Sequence, residues 1–231
     1  MRIDILTLFP EMFASPLNRS ILRRAQDKGL VTIRLHNFRR FAKDKHHTVD
    51  DTPYGGGAGM VLKPEPIFSA VEYLREKNGS FPLFYLSPKG KVFNQKMAYE
   101  LSKMERFALL CGRYEGVDQR VIDNIVDEEI SIGDYILSGG EPAAIVIIDA
   151  VVRLVKGVLG EENSSLDESF SGNLLEYSHY TKPRKFRDFE VPDVLVSGNH
   201  KSIKDFREKS SFETTLKKRP DLLKFKGEAN G

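Results

Sequence analysis

The stretch IVDEEISIGDYILSGGEPAAIVIIDAVVRLVK, residues 125–156, decides the fold of this 231-residue chain. Its first part, residues 125–130, predicts a strand, and the strongly apolar residues 141–156 predict a helix. Between them lies the polar, glycine-containing loop 131–140. A strand, a loop and a helix in this order form the repeating unit of an α/β domain. The longest apolar run stops at Asp149, so it is too short to span a membrane.

The same alternation extends back to the N-terminus. Four more strands are predicted, at residues 3–9, 31–37, 82–86 and 107–111. Further helices are predicted between them, at residues 16–28, 64–77, 94–103 and 117–124. The predicted fold class is therefore α/β with a mostly parallel sheet, in a domain of residues 1–160.

Three loops leave predicted strands with an unusual content of glycine and serine: residues 87–90, 112–116 and 131–140. Ligands of parallel α/β sheets lie beyond the carboxyl ends of the strands, which makes these loops candidates for a ligand site. Glycines in the last two loops expose backbone N–H and C=O groups that can read a planar heterocycle such as adenine. Ordinary β–α turns are the alternative interpretation.

The remainder of the chain has a different character. Residues 161–172, EENSSLDESFSG, are acidic, rich in serine and nearly free of apolar residues. They predict a flexible linker, residues 161–176, whose length also fits a functional lid. Residues 177–231 predict a small, basic, helical domain. Its two predicted helices are residues 201–209 and 212–219.

The formal net charge of +2, from 35 Lys+Arg and 33 Asp+Glu, hides an asymmetry. Residues 178–226 hold 13 bases against 7 acids, and residues 1–60 hold 10 bases against 6 acids. Residues 123–176 hold 12 acids against two bases, Arg153 and Lys156. A basic segment indicates a polyanionic partner, most often nucleic acid, although a solvated surface is the alternative. The acidic middle tolerates a cationic ligand.

A single cysteine excludes a disulfide framework and a multi-cysteine zinc site, and it fits a reducing cytoplasm. No secretory segment is recognised, so the predicted location is cytoplasmic. Cys111, at the end of a strand, is interpreted as a small buried hydrophobe. His36, His46 and His47 lack metal-ligand spacing, and surface roles are predicted for them. No metal site and no nucleophile–histidine–acid order is recognised.

Several isolated residues keep two interpretations. The glycine-rich segment 55–59 fails the Walker A and dinucleotide patterns, which leaves a tight loop or close approach to a base or ribose. Arg153 lies at the end of an apolar helix in a segment rich in acidic residues. It is interpreted either as a structural ion-pair partner or as a site residue. Asp167 and Glu168, in a polar linker, would ordinarily be solvated carboxylates.

A series of longer motifs runs in order and evenly spaced along nearly the whole chain. They are IDILTLFPEMF, DDTPYGGGAGM, LSPKG, CGRYEGVDQR, EISIGDYILSGGE, the helix that contains Arg153, LLEYSHYTKP and VLVSGNHKSI. Together they resemble the bacterial tRNA (guanine-N1)-methyltransferases, the TrmD family of the SPOUT superfamily.

The resemblance implies a SPOUT fold, in which the C-terminal part of the sheet is tied in a trefoil knot. It implies an obligate homodimer whose active sites are shared between subunits. It also implies that the knot loops bind S-adenosylmethionine. The residues that match the family's cofactor-binding positions are Tyr85, Leu86, Ser87, Pro88, Gly112, Tyr114, Glu115, Gly116, Ser131, Ile132, Gly133, Asp134, Tyr135, Ile136, Leu137, Gly139, Gly140 and Glu176.

The implied reaction is methyl transfer to N1 of the guanine at position 37 of tRNA, 3′ to the anticodon. N1 carries a proton, so a general base must remove it as the methyl arrives. By the resemblance, Arg153 stabilises the developing charge and a linker carboxylate is the base. The family signature is Asp-Ser-Phe, whereas this chain has Asp167-Glu168-Ser169-Phe170. That register favours Glu168, with Asp167 as the competing candidate.

The resemblance also implies substrate-side residues and allows Mg²⁺ as an aid to catalysis. The residues expected to face tRNA are Asp50, Gly57, Gly59, His179, Ser197, Asn199, His200, Lys201 and Arg207. Two other functions remain open from the sequence. One is a SPOUT methyltransferase that acts on ribose 2′-OH or on ribosomal RNA, and the other is an RNA-binding module without catalysis.

Overall fold

The computed structural model describes residues 1–159, 169–170 and 173–226. The chain divides into two compact units, Met1–Gly160 and Glu161–Gly231, and each is described by itself.

The first unit alternates strands and helices. Its elements are β1 (Arg2–Thr7), a 3₁₀ turn (Pro10–Phe13), α1 (Ala14–Leu17), α2 (Ser20–Asp27), β2 (Thr32–Asn37), a 3₁₀ turn (Phe38–Phe41), β3 (Asp50–Asp51), β4 (Val61–Leu62), α3 (Pro64–Asn78), β5 (Leu83–Val92), α4 (Gln95–Ser102), β6 (Arg106–Cys111), α5 (Gln119–Ile125), β7 (Glu128–Ser131) and α6 (Glu141–Val152). The second unit contains β8 (Lys185–Phe186), β9 (Phe189–Glu190), α7 (Asp193–Val196), α8 (His200–Lys218) and a 3₁₀ turn (Pro220–Lys226).

Five strands of the first unit form one parallel sheet in the order β2-β1-β6-β5-β7. The prediction of an α/β fold with a mostly parallel sheet is confirmed. The connection after β5 leads to β6 on one side, whereas the connection after β6 returns past β5 to β7. Because these connections run in opposite directions, a crevice is expected between the carboxyl ends of β5 and β6.

Both faces of the sheet are covered. Alternate residues of β6 face opposite sides: Phe107 and Leu109 join one apolar cluster, and Ala108 and Leu110 join the other. This period of two is the normal geometry of a strand, and burial on both faces explains the nearly continuous apolar sequence of β6.

Helix α6 shows how the opening stretch folds. It begins after Gly140 with a proline in its first turn, a position at which the missing N–H costs nothing. It packs against α4 and β6 and buries Ile147, Ile148 and Val151. The helix ends at Val152, earlier than the predicted residue 156. The amides of Leu154 and Val155 bond three positions back instead of four, which tightens the last turn.

The segment 87–90 corrects a second prediction. It lies within β5 rather than in a loop after it, and the β5–β7 register shifts between Leu86 and Lys91. Gly90 permits this bulge, because a Cβ at that position would lie 2.4 Å from the Glu129 carbonyl carbon. The predicted helix 16–28 is likewise divided into α1 and α2, since Ser20 has a φ of 49°.

In the second unit, α8 replaces the two predicted helices. The two serines at the predicted break hold the preceding chain against the helix. Ser210 accepts a hydrogen bond from the backbone N–H of Ser178, and the Ser211 hydroxyl donates to the carbonyl of Leu175. Because both hydroxyls serve tertiary packing, α8 continues until Lys218, just before Pro220. In the described part of the chain, no helix is long and apolar enough to cross a membrane.

Candidate functional site

A cavity of about 410 Å³ opens at the carboxyl ends of β5, β6 and β7, where the strand order predicts a crevice. Most of its walls come from the loops that follow β6 and β7. The lining residues are Tyr85, Leu86, Ser87, Pro88, Lys89, Gly112, Arg113, Tyr114, Glu115, Gly116, Val117, Gln119, Ile122, Glu129, Ile130, Ser131, Ile132, Gly133, Tyr135, Ile136, Leu137, Ser138, Gly139, Gly140 and Ala143.

The loop after β6 brings bare backbone close to an aromatic side chain. A Cβ at Gly112 would lie 2.8 Å from the hydroxyl oxygen of Tyr85. Tyr114 adopts a left-handed conformation with a φ of 60°, and its ring is half exposed at the cavity. Glycine at one position and a left-handed residue at another keep this turn compact and its backbone accessible.

The loop after β7 combines a tight turn with exposed apolar side chains. Ser131 donates through its hydroxyl to the carbonyl of Gly133, and the Tyr135 hydroxyl donates to the carbonyl of Ile132 at 3.1 Å. Ile136 is 80% exposed although it is strongly apolar. An exposed apolar side chain at the mouth of a cavity indicates a surface that a ligand covers.

The two loops touch through their backbones. The N–H of Gly140 donates to the carbonyl of Gly112 at 2.9 Å. A Cβ at Gly140 would lie 2.8 Å from the Cα of Cys111, so no larger residue fits without moving the backbone. The contact joins the end of β6 to the start of α6 and fixes the inner wall of the cavity.

A buried ion pair supports this wall from behind. The Glu141 carboxylate is fully buried, accepts a hydrogen bond from the Thr7 hydroxyl at 2.7 Å, and lies 3.0 Å from Arg113 Nε. Arg113 also donates to the carbonyl of Ser138 and stacks over the ring of Phe9 at 4.4 Å. Arg113 therefore links the segment after β1, both cavity loops and α6.

Ionisable groups around the cavity are tuned by burial. Burial, and secondarily the negative charge of Glu129, raises the pKa of Tyr85 to about 12, so its phenol stays neutral at physiological pH. Complete burial, with the nearby charge of Glu141, raises the pKa of Cys111 well above its ordinary value. Cys111 is inert in this environment, which confirms its interpretation as a small buried hydrophobe.

The structure brings most of the sequence-predicted cofactor residues into this one cavity. Two do not line it: Asp134 lies on the same loop, and Glu176 lies in the second unit. The sequence does not single out several of the lining residues, including Lys89, Arg113 and Glu129. Glu129 falls within the predicted strand 125–130, whereas Arg113 falls within the candidate loop 112–116. Cofactor binding by all of these residues stays a prediction.

The predicted catalytic residues lie outside the cavity or outside the described chain. Arg153 forms the C-terminal cap of α6 and is half-buried. Ala143, in the first turn of that helix, lines the cavity. Arg153 follows Ala143 by ten positions, which is roughly 15 Å along the helix axis at about 1.5 Å per residue. Asp167 and Glu168 lie outside the described residues.

The glycine-rich segment makes contact with the cavity loops. Gly55, Gly56, Gly57 and Gly59 all have positive φ, as a tight loop requires. The loop meets the cavity just beyond it, where Met60 accepts a hydrogen bond from the Glu115 amide. A Cβ at Gly59 would lie 2.5 Å from Glu115 Oε1, so both earlier interpretations remain compatible with the geometry. Asp50 pairs with Leu62 in the adjoining β3–β4 ladder.

In the second unit, the predicted tRNA-facing residues surround the start of α8. Asn199 is its N-cap, whose side chain accepts a hydrogen bond from the Ser202 amide at 3.1 Å. Ser197 accepts from the Asn199 amide, and the exposed His200 and Lys201 open the helix. A second cavity of about 520 Å³ lies in this unit. Its walls include Tyr177, His179, Lys182, Arg184 and Arg207.

The interpretation of His36 as a surface residue is wrong. Its Nε2 lies 2.7 Å from the carboxylate of Asp4, which is fully buried and also paired with Arg2 and Arg106. Burial acts to raise the pKa of Asp4, but hydrogen bonds from His36 and Arg2 and the charge of Arg106 outweigh it and lower the pKa to about 2. In the described residues, no group of three or more His, Cys, Asp or Glu side chains could hold a metal ion.

Comparisons with known proteins agree with the resemblance. The family model described as "tRNA (Guanine-1)-methyltransferase TrmD" matches residues 1–225. A Carboxydothermus hydrogenoformans protein is 63% identical over 227 residues, which cover 98% of this chain and 89% of that protein. Proteins of Caldanaerobacter subterraneus and Dehalococcoides mccartyi are 59% and 57% identical over 224 residues each, covering 97% and 96% of this chain and 92% and 90% of those proteins. All three relatives are named tRNA (guanine-N(1)-)-methyltransferase.

Proposed function

We propose that this chain, which belongs to the TrmD family of tRNA (guanine-1)-methyltransferases, transfers a methyl group from S-adenosylmethionine to N1 of guanine 37 in tRNA. One observation carries the proposal. The two motifs CGRYEG and EISIGDYILSGGE, which are distant in sequence, line a single cavity at the carboxyl edge of the sheet.

The residues of the cavity fit S-adenosylmethionine. Its volume, about 410 Å³, lies in the range of small-molecule sites. Backbone groups around Gly112 and Gly133 suit an adenine edge, and the exposed side chain of Ile136 suits an apolar ring face. The carboxylates of Glu115 and Glu129 favour a cation. When bound, S-adenosylmethionine supplies a methyl group already activated by a positively charged sulfonium.

The chain must then supply a base for the acceptor nitrogen. N1 of guanine carries a proton, and its removal shifts negative charge toward O6. A carboxylate at Glu168, or at Asp167, takes the proton, and general bases of this kind contribute on the order of 10²–10⁴-fold. Arg153 stabilises the charge at O6 through its guanidinium. The target guanine must leave the stack of neighbouring nucleobases before its N1 can be reached. We assign no step to Mg²⁺.

The position of Arg153 favours an active site shared by two copies of the chain. Within one copy, its place at the far end of α6 lies roughly 15 Å along the helix from the cavity-lining Ala143. A guanidinium acts on developing charge only at hydrogen-bonding distance. The partner's Arg153 would meet this need in a homodimer, in agreement with the arrangement that the family resemblance implies. We include the homodimer and the trefoil knot in the proposal on that basis.

The second unit is proposed to bind tRNA. Its helix α8 presents exposed Lys201, Lys204 and Lys209, and Arg207 lies over the ring of Tyr177 at 4.7 Å. Cations beside stacked rings are typical of RNA-binding surfaces. A tRNA substrate places the enzyme in the cytoplasm.

Methyl transfer to tRNA transcripts tests the proposal directly. Transcripts with guanine at position 37 should accept labelled methyl groups, and transcripts with adenine there should not. Mapping of the product should place the methyl on N1. Methylation of a ribose 2′-OH, or of ribosomal RNA alone, would contradict the proposal, and failure of equilibrium dialysis to detect S-adenosylmethionine binding would contradict it at an earlier step.

A further inference from the structure

The first unit carries a basic loop that the proposed function leaves unused. Residues 39–47, RRFAKDKHH, hold four Lys/Arg residues and one Asp. The loop follows the carboxyl end of β2, and in a parallel sheet the carboxyl ends of all strands lie at one edge. The loop and the cavity therefore share an edge. Strand β2 stands two places from β6, roughly 10 Å at about 4.8 Å per strand.

The loop is held in place by its own hydrogen bonds. The Asp44 carboxylate accepts from the amides of His46 at 3.0 Å and Thr48 at 2.9 Å, and from the Thr48 hydroxyl at 2.9 Å. Arg39 closes the loop by donating to the carbonyl of His47 at 3.1 Å. The loop's end is anchored at the buried Val49, whose carbonyl accepts from the Lys63 amide. Asp44 thus organises the backbone that presents its basic neighbours.

Those neighbours are available to a partner. Arg40, Lys43 and Lys45 are exposed, and within the described residues no carboxylate lies within ion-pairing distance of them. Three neighbouring cations without carboxylate partners repel one another. They lower their energy when an anionic surface approaches.

An aromatic pair adjoins the cations. The rings of Phe41 and Tyr73 lie 5.6 Å apart, and Tyr73 is 47% exposed. The Nζ of Lys77 lies 5.8 Å from the centroid of the Tyr73 ring. Exposed rings among cations suit a nucleic acid, whose sugars and bases stack while its phosphates pair with lysine. An acidic protein surface would use the cations and leave the ring without a role.

We propose that the loop 39–47, with Tyr73, is a second contact surface for the tRNA backbone, separate from the one in α8. The inference rests on the proposed function, because it takes tRNA as the ligand. Continuity along the chain supports it: the loop leads through Asp50 to the glycine-rich segment, whose end bonds the cavity loop at Glu115. An RNA strand that reaches the cavity would pass beside this edge of the sheet.

The test compares two double variants with equal charge loss. Lys43→Ala/Lys45→Ala removes two cations of the loop. The control, Lys28→Ala/Lys103→Ala, removes two exposed lysines from the opposite edge, before the amino ends of β2 and β6. Binding of a guanine-37 tRNA transcript is measured by filter binding from low to moderate salt, together with S-adenosylmethionine affinity and thermal unfolding.

The loop variant should bind tRNA on the order of tenfold more weakly. The salt slope, that is, the slope of the logarithm of the binding constant against the logarithm of salt concentration, should become shallower by about one unit per lysine lost. The control should keep the wild-type slope. Equal slopes in wild type and both variants overturn the RNA surface and leave an acidic protein as the partner. If the slopes are equal but wild-type enzyme methylates tRNA, only this inference is refuted. If wild-type enzyme methylates no tRNA, the proposed function itself is refuted.

Discussion

At the residue scale, Gly140 shows how a missing side chain shapes a site. Its Cβ would meet the backbone Cα of Cys111 at 2.8 Å and the Gly112 nitrogen at 3.1 Å, and neither atom can yield as a flexible side chain would. We expect Gly140→Ala to separate the two cavity loops and to weaken S-adenosylmethionine binding at least tenfold, as measured by equilibrium dialysis.

Gly29→Ala serves as the control for that variant. Gly29 has a φ of 69° and no atom within 4 Å of its would-be Cβ, so alanine there adds about 1 kcal/mol of backbone strain without touching the cavity. It should lower the melting temperature and leave the affinity unchanged. An unaltered affinity in Gly140→Ala would show that the loop contact does not shape the ligand site.

A second residue-scale prediction concerns the buried pair of Arg113 and Glu141. Glu141→Gln keeps the side chain's size and its bond to Thr7 but leaves the guanidinium without a countercharge. Breaking a buried ion pair costs about 3–5 kcal/mol, so urea unfolding should show a loss of that order. Glu128→Gln, in an exposed pair with Lys91, should cost less than about 1 kcal/mol. Equal losses in the two variants would contradict the structural role of Glu141.

Asp4 makes stability depend on pH. Because its pKa is lowered to about 2 in the folded chain from 3.8, the folded state favours the ionised form. Its contribution, about 2 kcal/mol, is complete above pH 4 and is lost as the pH falls toward 2. Between pH 5 and pH 2, the free energy of unfolding should therefore fall more steeply in wild type than in Asp4→Asn. Parallel curves for the two proteins would rule the contribution out.

The sequence revealed the cavity's residues better than it revealed this cluster. The glycines of the cavity loops are clustered in the sequence, and such clusters indicate close approach of the backbone. Asp4, His36 and Arg106 lie on three strands whose register only the folded sheet defines. Each residue taken alone resembles an ordinary polar side chain of a strand, so no local pattern could join them.

At the element scale, α8 depends on the residue that begins it. Asn199 caps the helix and is also expected to face tRNA. Replacement by alanine should cost about 1 kcal/mol, because the Ser202 amide loses its acceptor. Asn199→Asp keeps the cap. Circular dichroism and tRNA binding together separate the two roles.

If Asn199 acts only as a cap, the aspartate variant should retain both helicity and tRNA affinity. If it contacts tRNA, affinity falls in the aspartate variant while helicity persists, and we expect this second outcome. Preserved affinity in Asn199→Asp would therefore remove Asn199 from the predicted tRNA surface.

Elements with strong local signals were predictable, and those governed by tertiary contacts were not. Asn94 begins α4 as expected, with its side chain accepting from the Met97 amide. The predicted break in α8 was wrong because Ser210 and Ser211 bind the preceding chain rather than interrupt the helix. The bulge of β5 could not be foreseen either, since Gly90 is fitted to the backbone of β7, a strand about 40 residues later.

At the scale of the whole molecule, the distribution of charge and the topology of the chain cannot be read from any short stretch of sequence. The net charge of +2 results from basic segments at both ends and an acidic middle. The cavity draws part of its lining, between residues 129 and 143, from the acidic segment, and the proposed tRNA surfaces lie mainly in the basic segments. No window of sequence predicts a knot or a shared site, because both depend on how distant segments pass one another. The knot and the shared site are expectations that the family resemblance implies.

Complementation tests the shared active site. Arg153→Ala should lack the charge-stabilising guanidinium, and Gly140→Val should lack a working cavity, so each variant alone should be nearly inactive. If a site combines the cavity of one copy with the partner's Arg153, a mixed dimer contains one site with both defects and one intact site. Co-expression with different affinity tags should then restore activity, to about one quarter of wild type when the copies mix at random.

The alternative geometry predicts a different result from the same mixture. If each site took its cavity and its Arg153 from one chain, both sites of a mixed dimer would carry one defect and no activity would return. Purification through both tags in succession isolates the mixed dimer, whose activity should rise to about half of wild type under the shared arrangement. Because Arg153 and Ala143 lie roughly 15 Å apart along one helix, we expect the shared arrangement. An inactive doubly tagged dimer would contradict the shared arrangement.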